Sequence, residues 1–136
     1  MSALGRTDAG LASAPAGGQV RGGVSLLLKL EGGLELGAAI LAYGVLGGGW
    51  LMFAVLLLVP DLSMLGYLAG NRIGAAVYNA AHTYLTPALL AGLAWALHAP
   101  EWVTLVALIW AAHIGADRLL GFGLKYPEGF KPTHLG

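Results

Sequence analysis

The sequence contains no cysteine and few charged residues. The absence of cysteine excludes disulfide bonds and thiolate metal sites. Charged residues make up only 10% of the 136 residues, against about 25% in an average soluble domain. Seven basic residues balance seven acidic ones, so the formal net charge is zero. This balance provides none of the basic character by which a protein attracts nucleic acid, and we expect no nucleic-acid partner.

Apolar residues are abundant instead, at 57% of the chain. Residues 36–60 and 73–100 contain no Asp, Glu, Lys or Arg. Each of these runs exceeds the roughly 20 residues that a helix needs to cross a bilayer. The sequence therefore predicts an all-α integral membrane protein, a four-helix bundle in contact with membrane lipids.

The order of glycine, proline and polar residues divides the chain. Residues 1–23 are rich in Gly, Ala and Ser and have no apolar core of a signal peptide, which predicts a disordered tail. Residues 24–136 are predicted to form one transmembrane domain with an interfacial C-terminal tail. Its four helices are predicted at about 24–46, 50–68, 73–97 and 102–122, with a proline kink at Pro60 in the second.

The basic residues predict the orientation of these helices. With four spans, both termini and the second connection lie on one side of the membrane. Those three segments hold the basic residues Arg6, Arg21, Arg72, Lys125 and Lys131, whereas the other two connections hold none. The positive-inside rule then places both termini in the cytoplasm. Together with the family resemblance described below, this predicts a multi-pass protein of the bacterial cytoplasmic (inner) membrane.

Polar residues interrupt the apolar helices at similar depths. His113 and Asp117 lie four residues apart, hence on one face of the fourth predicted helix. At about 1.5 Å per residue, six polar side chains lie roughly 7–13 Å from the cytoplasmic ends of their helices. These residues are Glu31, Asp61, Asn79, His82, His113 and Asp117. Ionisable groups at membrane depth need partners or a function, so we predict one shared polar cavity that opens toward the cytoplasm.

Imidazole and carboxylate groups are ligands that zinc, manganese and iron accept. The sequence therefore predicts a divalent metal site, with zinc as the first choice, formed by Asp61, His82, His113 and Asp117. The alternative is a purely structural network. In that network the two histidines bond to Asp61 or to glutamates of the first helix, and Arg118 pairs with Asp117.

Two functions fit such a cavity. In the first, the metal activates water to hydrolyse an amphiphilic substrate, such as a lipid phosphoester from the inner leaflet. Glu31 or Glu35 is then predicted as the general base, and Asn79 either orients His82 or bonds a neighbouring backbone. In the second, the chain is not an enzyme but a proton or solute pathway, or a helix-packing module. The glycines near residue 33 would then pack subunits of a homo-oligomer.

Four sequence blocks together resemble a family of small bacterial membrane proteins known as domain of unknown function 4260. They read PDLSMLGY at residues 60–67, YNAAHTY at 78–84, HIGADRLLGFGLKYP at 113–127 and GFKPTHLG at 129–136. The resemblance covers residues 26–136. It implies a membrane topology and no established activity.

A looser resemblance is to membrane-bound metal-dependent hydrolases related to zinc phospholipase C. Those proteins carry a histidine and an aspartate four apart, followed by glycine and proline, in a segment similar to residues 113–127. The resemblance implies that His113 and Asp117 are metal ligands, with His82 and Asp61 as candidates. The chain differs from that pattern around His82, where it lacks the usual Arg and Ser.

Overall fold

The computed structural model describes residues 20–127 and 134–135, and their elements are all helices. They are α1 (Gly22–Val45), α2 (Trp50–Leu56), a 3₁₀ helix (Val59–Ala69), α3 (Asn71–His82), α4 (Leu85–Ala96) and α5 (Glu101–Leu120). The all-α prediction is therefore confirmed for these residues. Most of the predicted N-terminal tail, and the C-terminal tail from residue 128 to 133, lie outside the described residues.

Two stretches are long and apolar enough to cross a membrane, namely Trp50–Ala69 and Glu101–Leu120. The described structure has five α-helices where the sequence predicted four spans. Many large apolar side chains point outward, among them Leu34, Leu68 and Trp95, which are 73%, 89% and 84% exposed. An apolar surface of this extent indicates a membrane or another apolar partner. The four-span bundle and the cytoplasmic termini stay predictions.

Helix α5 is the central element. A third of its residues are buried, compared with only 6% in Trp50–Ala69. Helices α1 and α4 both pack along α5, while α3 packs on the 3₁₀ helix. The most buried part of α5 runs from Ala112 to Gly115, so His113 lies where the helix is most buried.

Two glycines let α1 and α5 cross with their backbones in contact. A Cβ atom on Gly32 would lie 2.3 Å from the Cβ of Arg118, and one on Gly115 would lie 2.8 Å from the carbonyl oxygen of Gly32. Small residues at such a crossing allow the close packing typical of membrane helices. The crossing point falls between His113 and Asp117, so it fixes the depth of both.

The second predicted helix changes its form at Pro60. Proline has no N–H group to donate to the carbonyl of Leu56, and α2 ends at that residue. The chain continues as an 11-residue 3₁₀ helix, in which the N–H of Asp61 donates to the carbonyl of Leu58 at 3.1 Å. In a regular α-helix that N–H would bond to Leu57, so the break frees the Leu57 carbonyl for another donor.

The stretch predicted as one helix at 73–97 is two helices. Helix α3 ends at His82, and Thr83 is extended, with φ −96° and ψ 141°. Pro87 lies in the first turn of α4, where its missing N–H costs no hydrogen bond. Because Pro87 cannot donate to the carbonyl of Thr83, it favours a new helix that starts at Leu85 over regular continuation of α3.

This break exposes the last carbonyl groups of α3, and side chains supply the missing donors. The hydroxyl of Thr86 donates to Ala80, and Nε1 of Trp110 donates to Ala81 at 2.6 Å. Nη2 of Arg118 donates to the carbonyl of His82 at 3.1 Å. Buried backbone groups away from water need such partners, so the break is stabilised by donors from α4 and α5.

The segment after α5 folds back on α3. The side-chain amide of Asn79 donates to the carbonyl of Lys125 at 2.7 Å and accepts from its N–H at 2.6 Å. The N–H of Leu124 donates to Nδ1 of His134 at 2.8 Å, and the N–H of His134 donates to Leu124 at 3.1 Å. The part of the C-terminal tail that is described therefore packs against the helices.

The glycine crossing predicts a position-dependent effect of alanine. We expect Gly32→Ala to lower the free energy of unfolding by about 1–3 kcal/mol, because the added methyl group forces α1 away from α5. Gly37→Ala, on the same helix, is the matched control, since a Cβ there meets nothing within 4 Å. Thermal unfolding in detergent measures the difference, and equal melting temperatures for the two variants would contradict the crossing.

The donor from Trp110 predicts a second effect. We expect Trp110→Phe to destabilise the fold by about 1–3 kcal/mol, since the carbonyl of Ala81 is left without its donor. Trp95→Phe makes the same change at a side chain that is 84% exposed, and we expect it to stay within about 0.5 kcal/mol of the parent. Denaturant titration followed by circular dichroism tests both variants.

Candidate metal centre

Four side chains from three elements converge on one point. Asp61 lies in the first turn of the 3₁₀ helix, His82 ends α3, and His113 and Asp117 lie one turn apart on α5. One ligand atom of each lies within 4.8 Å of the others. The four residues that the sequence predicted as metal ligands are therefore brought together.

Five of the six separations between these atoms lie between 3.1 and 3.5 Å, and the two carboxylate oxygens lie within 4.8 Å of each other. Nε2 of His82 lies 3.1 Å from Nε2 of His113, 3.3 Å from Oδ1 of Asp61 and 3.5 Å from Oδ2 of Asp117. Nε2 of His113 lies 3.4 Å from each of the same two oxygens. Zinc bonds of about 2.0–2.1 Å in a tetrahedron place neighbouring ligand atoms about 3.3–3.4 Å apart. The spacing fits a small tetrahedral ion.

Hydrogen bonds on the far side of His82 set its orientation. Its Nδ1 lies 2.9 Å from the carbonyl of Tyr78, which can only accept a hydrogen bond. Nδ1 therefore carries the proton of the neutral ring, and the lone pair of Nε2 points at the cluster. The ring also stacks on Tyr78, at 3.7 Å between centroids, and Nζ of Lys125 lies 4.7 Å from the centre of the Tyr78 ring.

His113 is oriented by the break at Pro60. Its ring hydrogen-bonds to the backbone of Leu57, the residue whose carbonyl the 3₁₀ helix frees. The other ring nitrogen, Nε2, faces His82 and both carboxylates. Two imidazole lone pairs and two carboxylates thus face each other. These groups repel one another, so a cation or additional protons must stabilise the cluster.

The cluster is closed on its histidine side and open on its carboxylate side. The side chains of His82 and His113 are 3% and 4% exposed, whereas those of Asp61 and Asp117 are 39% and 20% exposed. An ion, water or substrate would therefore reach the four atoms past the carboxylates.

An apolar cavity of about 250 Å³ lies between the 3₁₀ helix, α3 and α5. Its walls include Pro60 and Ala81, which adjoin Asp61 and His82 in the chain, and Ile109, one turn before His113. Ser63 also lines it, and its hydroxyl is buried without a hydrogen-bond partner among the described residues. The cavity thus offers apolar walls and one polar group beside the candidate metal centre.

The predicted catalytic glutamates lie elsewhere. Glu31 and Glu35 are exposed on α1 and line a separate polar cavity of about 530 Å³, together with Arg118. Neither belongs to the group of four ligand atoms. Asn79 uses both atoms of its amide on the backbone of Lys125, which is the backbone-bonding alternative considered from the sequence.

The alternative network predicted from the sequence forms only in part. Among residues 20–127 and 134–135, the ion pairs within 4 Å all join a histidine of the cluster to Asp61 or Asp117. Arg118 bonds to the carbonyl of His82 and not to Asp117. These roles of Arg118 and Trp110 were not predicted from the sequence, although Pro87 indicates a position where a helix can break and leave carbonyl groups without donors.

Comparison with known proteins gives one result. No curated protein and no solved structure matches the chain. No finding supports the looser resemblance to the metal-dependent hydrolases. The profile of a family described as a domain of unknown function, DUF4260, matches residues 25–136. The match covers most of the chain and agrees with the family resemblance noted in the sequence, so the protein belongs to the DUF4260 family.

Proposed function

We propose that this protein is a multi-pass membrane protein that binds one divalent metal ion, preferentially zinc, through Asp61, His82, His113 and Asp117. The observation that carries the proposal is the set of five nitrogen and oxygen separations between 3.1 and 3.5 Å. Two imidazoles and two carboxylates also match the ligand preference of zinc and neighbouring transition metals.

A metal accounts for the cluster better than hydrogen bonds alone. The Nδ1 atom of His82 donates to Tyr78, and His113 bonds to the backbone of Leu57. The facing Nε2 atoms of the two rings therefore have no proton to share when both rings are neutral. A cation at the centre of the four atoms turns this repulsion into attraction.

The membrane location is proposed from the two stretches able to span a bilayer and from the outward-facing apolar side chains. The distribution of basic residues favours termini in the cytoplasm, and the resemblance to small bacterial membrane proteins favours the bacterial inner membrane. In that orientation the four ligands lie in the cytoplasmic half of the bilayer, and the carboxylate side of the cluster is the route of access.

The chemistry that fits best is hydrolysis of an amphiphilic ester, such as a lipid phosphoester. A divalent ion held by these four side chains would supply Lewis acidity, and a water that joined it as a fifth ligand on the exposed carboxylate side would have a lowered pKa. The apolar cavity beside Asp61 and His82 has walls suited to a hydrocarbon chain, and the hydroxyl of Ser63 is available there to a polar group of the substrate. The role of Glu31 or Glu35 as general base stays a prediction.

Metal analysis tests the first step of the proposal. We expect protein purified in detergent, loaded with zinc and dialysed, to retain about one zinc per chain by mass spectrometry. Loss of one ligand in His113→Ala or Asp117→Asn lowers zinc affinity at least as much as the roughly 10–100-fold seen for outer-shell partners. His98→Ala is the control, because His98 is exposed and lies outside the cluster. A metal content equal in the parent and in His113→Ala would reject the site.

The hydrolytic step requires its own measurement. We expect release of product from amphiphilic phosphoesters in mixed micelles to depend on added zinc, to stop with a chelator and to be lost in His82→Ala. His98→Ala should keep full activity. Absence of hydrolysis together with proton flux in liposomes that is lost in Asp61→Asn would favour the transport pathway instead.

A further inference from the structure

The polar cavity between α1, α5 and the C-terminal segment contains groups that the metal centre does not use. Its volume is about 530 Å³, within the range of small-molecule binding sites. The polar residues in its walls are Glu31, Glu35, Tyr84, Arg118 and His134, with leucines of α1 beside them.

One wall of this cavity holds two hydrogen-bond donors that face each other. Nδ1 of His134 accepts from the N–H of Leu124, so the proton of the neutral ring is on Nε2. That Nε2 lies 3.4 Å from Nη1 of Arg118, which is also a donor. Burial and the charge of Arg118 lower the pKa of His134, in agreement with a neutral ring. Among the described residues, these two donors share no oxygen acceptor.

A third donor lies close by. The hydroxyl of Tyr84 is buried and has no hydrogen-bond partner among the described residues, and Arg118 and Glu35 are among its charged neighbours. Arg118 itself has no carboxylate within 4 Å in the described part of the chain. A half-buried guanidinium, a phenol and an imidazole N–H together form a site for an anion with several oxygen atoms, such as phosphate.

The opposite wall of the cavity is acidic. Glu31 and Glu35 are one turn apart on α1 and exposed toward the same cavity. No Lys or Arg of the described residues lies within 4 Å of either carboxylate. A ligand that carries both a phosphate and a cationic amine would satisfy both walls at once.

We infer that the cavity binds the head group of a zwitterionic phospho-amine amphiphile. Its phosphate accepts hydrogen bonds from Arg118, His134 and Tyr84, and its ammonium group faces Glu31 and Glu35. The inference rests on the membrane location under the proposed function and assigns a lipid site distinct from the apolar cavity beside the metal centre. It does not need the metal, since the cavity shares with the metal centre only the bond from Arg118 to the carbonyl of His82.

The test uses the full chain in an uncharged detergent and short-chain phosphatidylethanolamine, with short-chain phosphatidylglycerol as the lipid that lacks the amine. Calorimetric titration should show tighter binding of the first. Tyr84→Phe should weaken its binding about tenfold or more, the size of a hydrogen bond to a charged group. The same variant should melt, without ligand, at the parent temperature or higher, because it removes a hydroxyl that has no partner.

Two further variants test the contribution of each cavity wall to lipid binding. Glu35→Gln should reduce the preference for the amine-containing lipid, and Arg118→Gln should abolish binding of both lipids. Arg72→Gln, at an exposed arginine, is the control and should change neither the preference nor the affinity. Free phosphoethanolamine shows the source of the ligand: binding as tight as that of the lipid supports a soluble phospho-amine at the same site, and weaker binding supports the lipid.

Equal affinity for the two lipids, or unchanged affinity in Tyr84→Phe, would overturn the inference. Zinc content is measured in the same samples. Lipid binding without zinc would reject only the metal site, and loss of zinc in Tyr84→Phe would show that the phenol acts through the metal centre and overturn the head-group site.

Discussion

The structure depends on the need to satisfy backbone carbonyl groups where its apolar helices break. Water is scarce at such positions, so each released carbonyl requires a donor from a side chain. The break after His82 is stabilised by Trp110 and Arg118, and the change to a 3₁₀ helix at Pro60 frees the carbonyl group of Leu57, with whose backbone His113 bonds. The polar residues of α5 are thus required by the breaks in its neighbours before any chemistry is considered.

The same constraint orients the candidate metal ligands. An imidazole that donates through Nδ1 to a carbonyl must present the lone pair of Nε2 on its other side, as His82 does through Tyr78. Asp61 enters the cluster because it lies in the first turn of the 3₁₀ helix, and Asp117 because it lies one turn beyond His113. The same two helix breaks therefore bring side-chain donors to the free carbonyl groups and also orient the candidate metal ligands. This explains how so short a chain holds a preorganised cluster.

The sequence was sufficient for the helical class and for the four members of the cluster. Apolar runs predict helices, and histidine and aspartate are costly in such runs unless they meet, so depth alone brought His82, His113 and Asp61 together. The residues that line the polar cavity could not be predicted from the sequence. Glu31 has the same depth as the cluster but lies on another face of the bundle, and depth carries no information about direction. The break at Thr83 was also missed, because Pro87 alone is compatible with a kink as well as with a new helix.

A short segment of α5 takes part in the metal cluster, in the crossing with α1 and in the polar cavity, so a change in this segment affects all three. His113 and Asp117 point to the cluster, Gly115 admits the backbone of α1, and Arg118 reaches the polar cavity while it bonds to His82. A larger residue at Gly115 would separate α1 from α5 and so move the glutamates of α1 relative to Arg118. The crossing of two glycines thus sets the width of the polar cavity, and the direction of Arg118 joins that cavity to the residue that ends α3. The arrangement follows from packing and hydrogen bonding, and the site chemistry is a consequence of both.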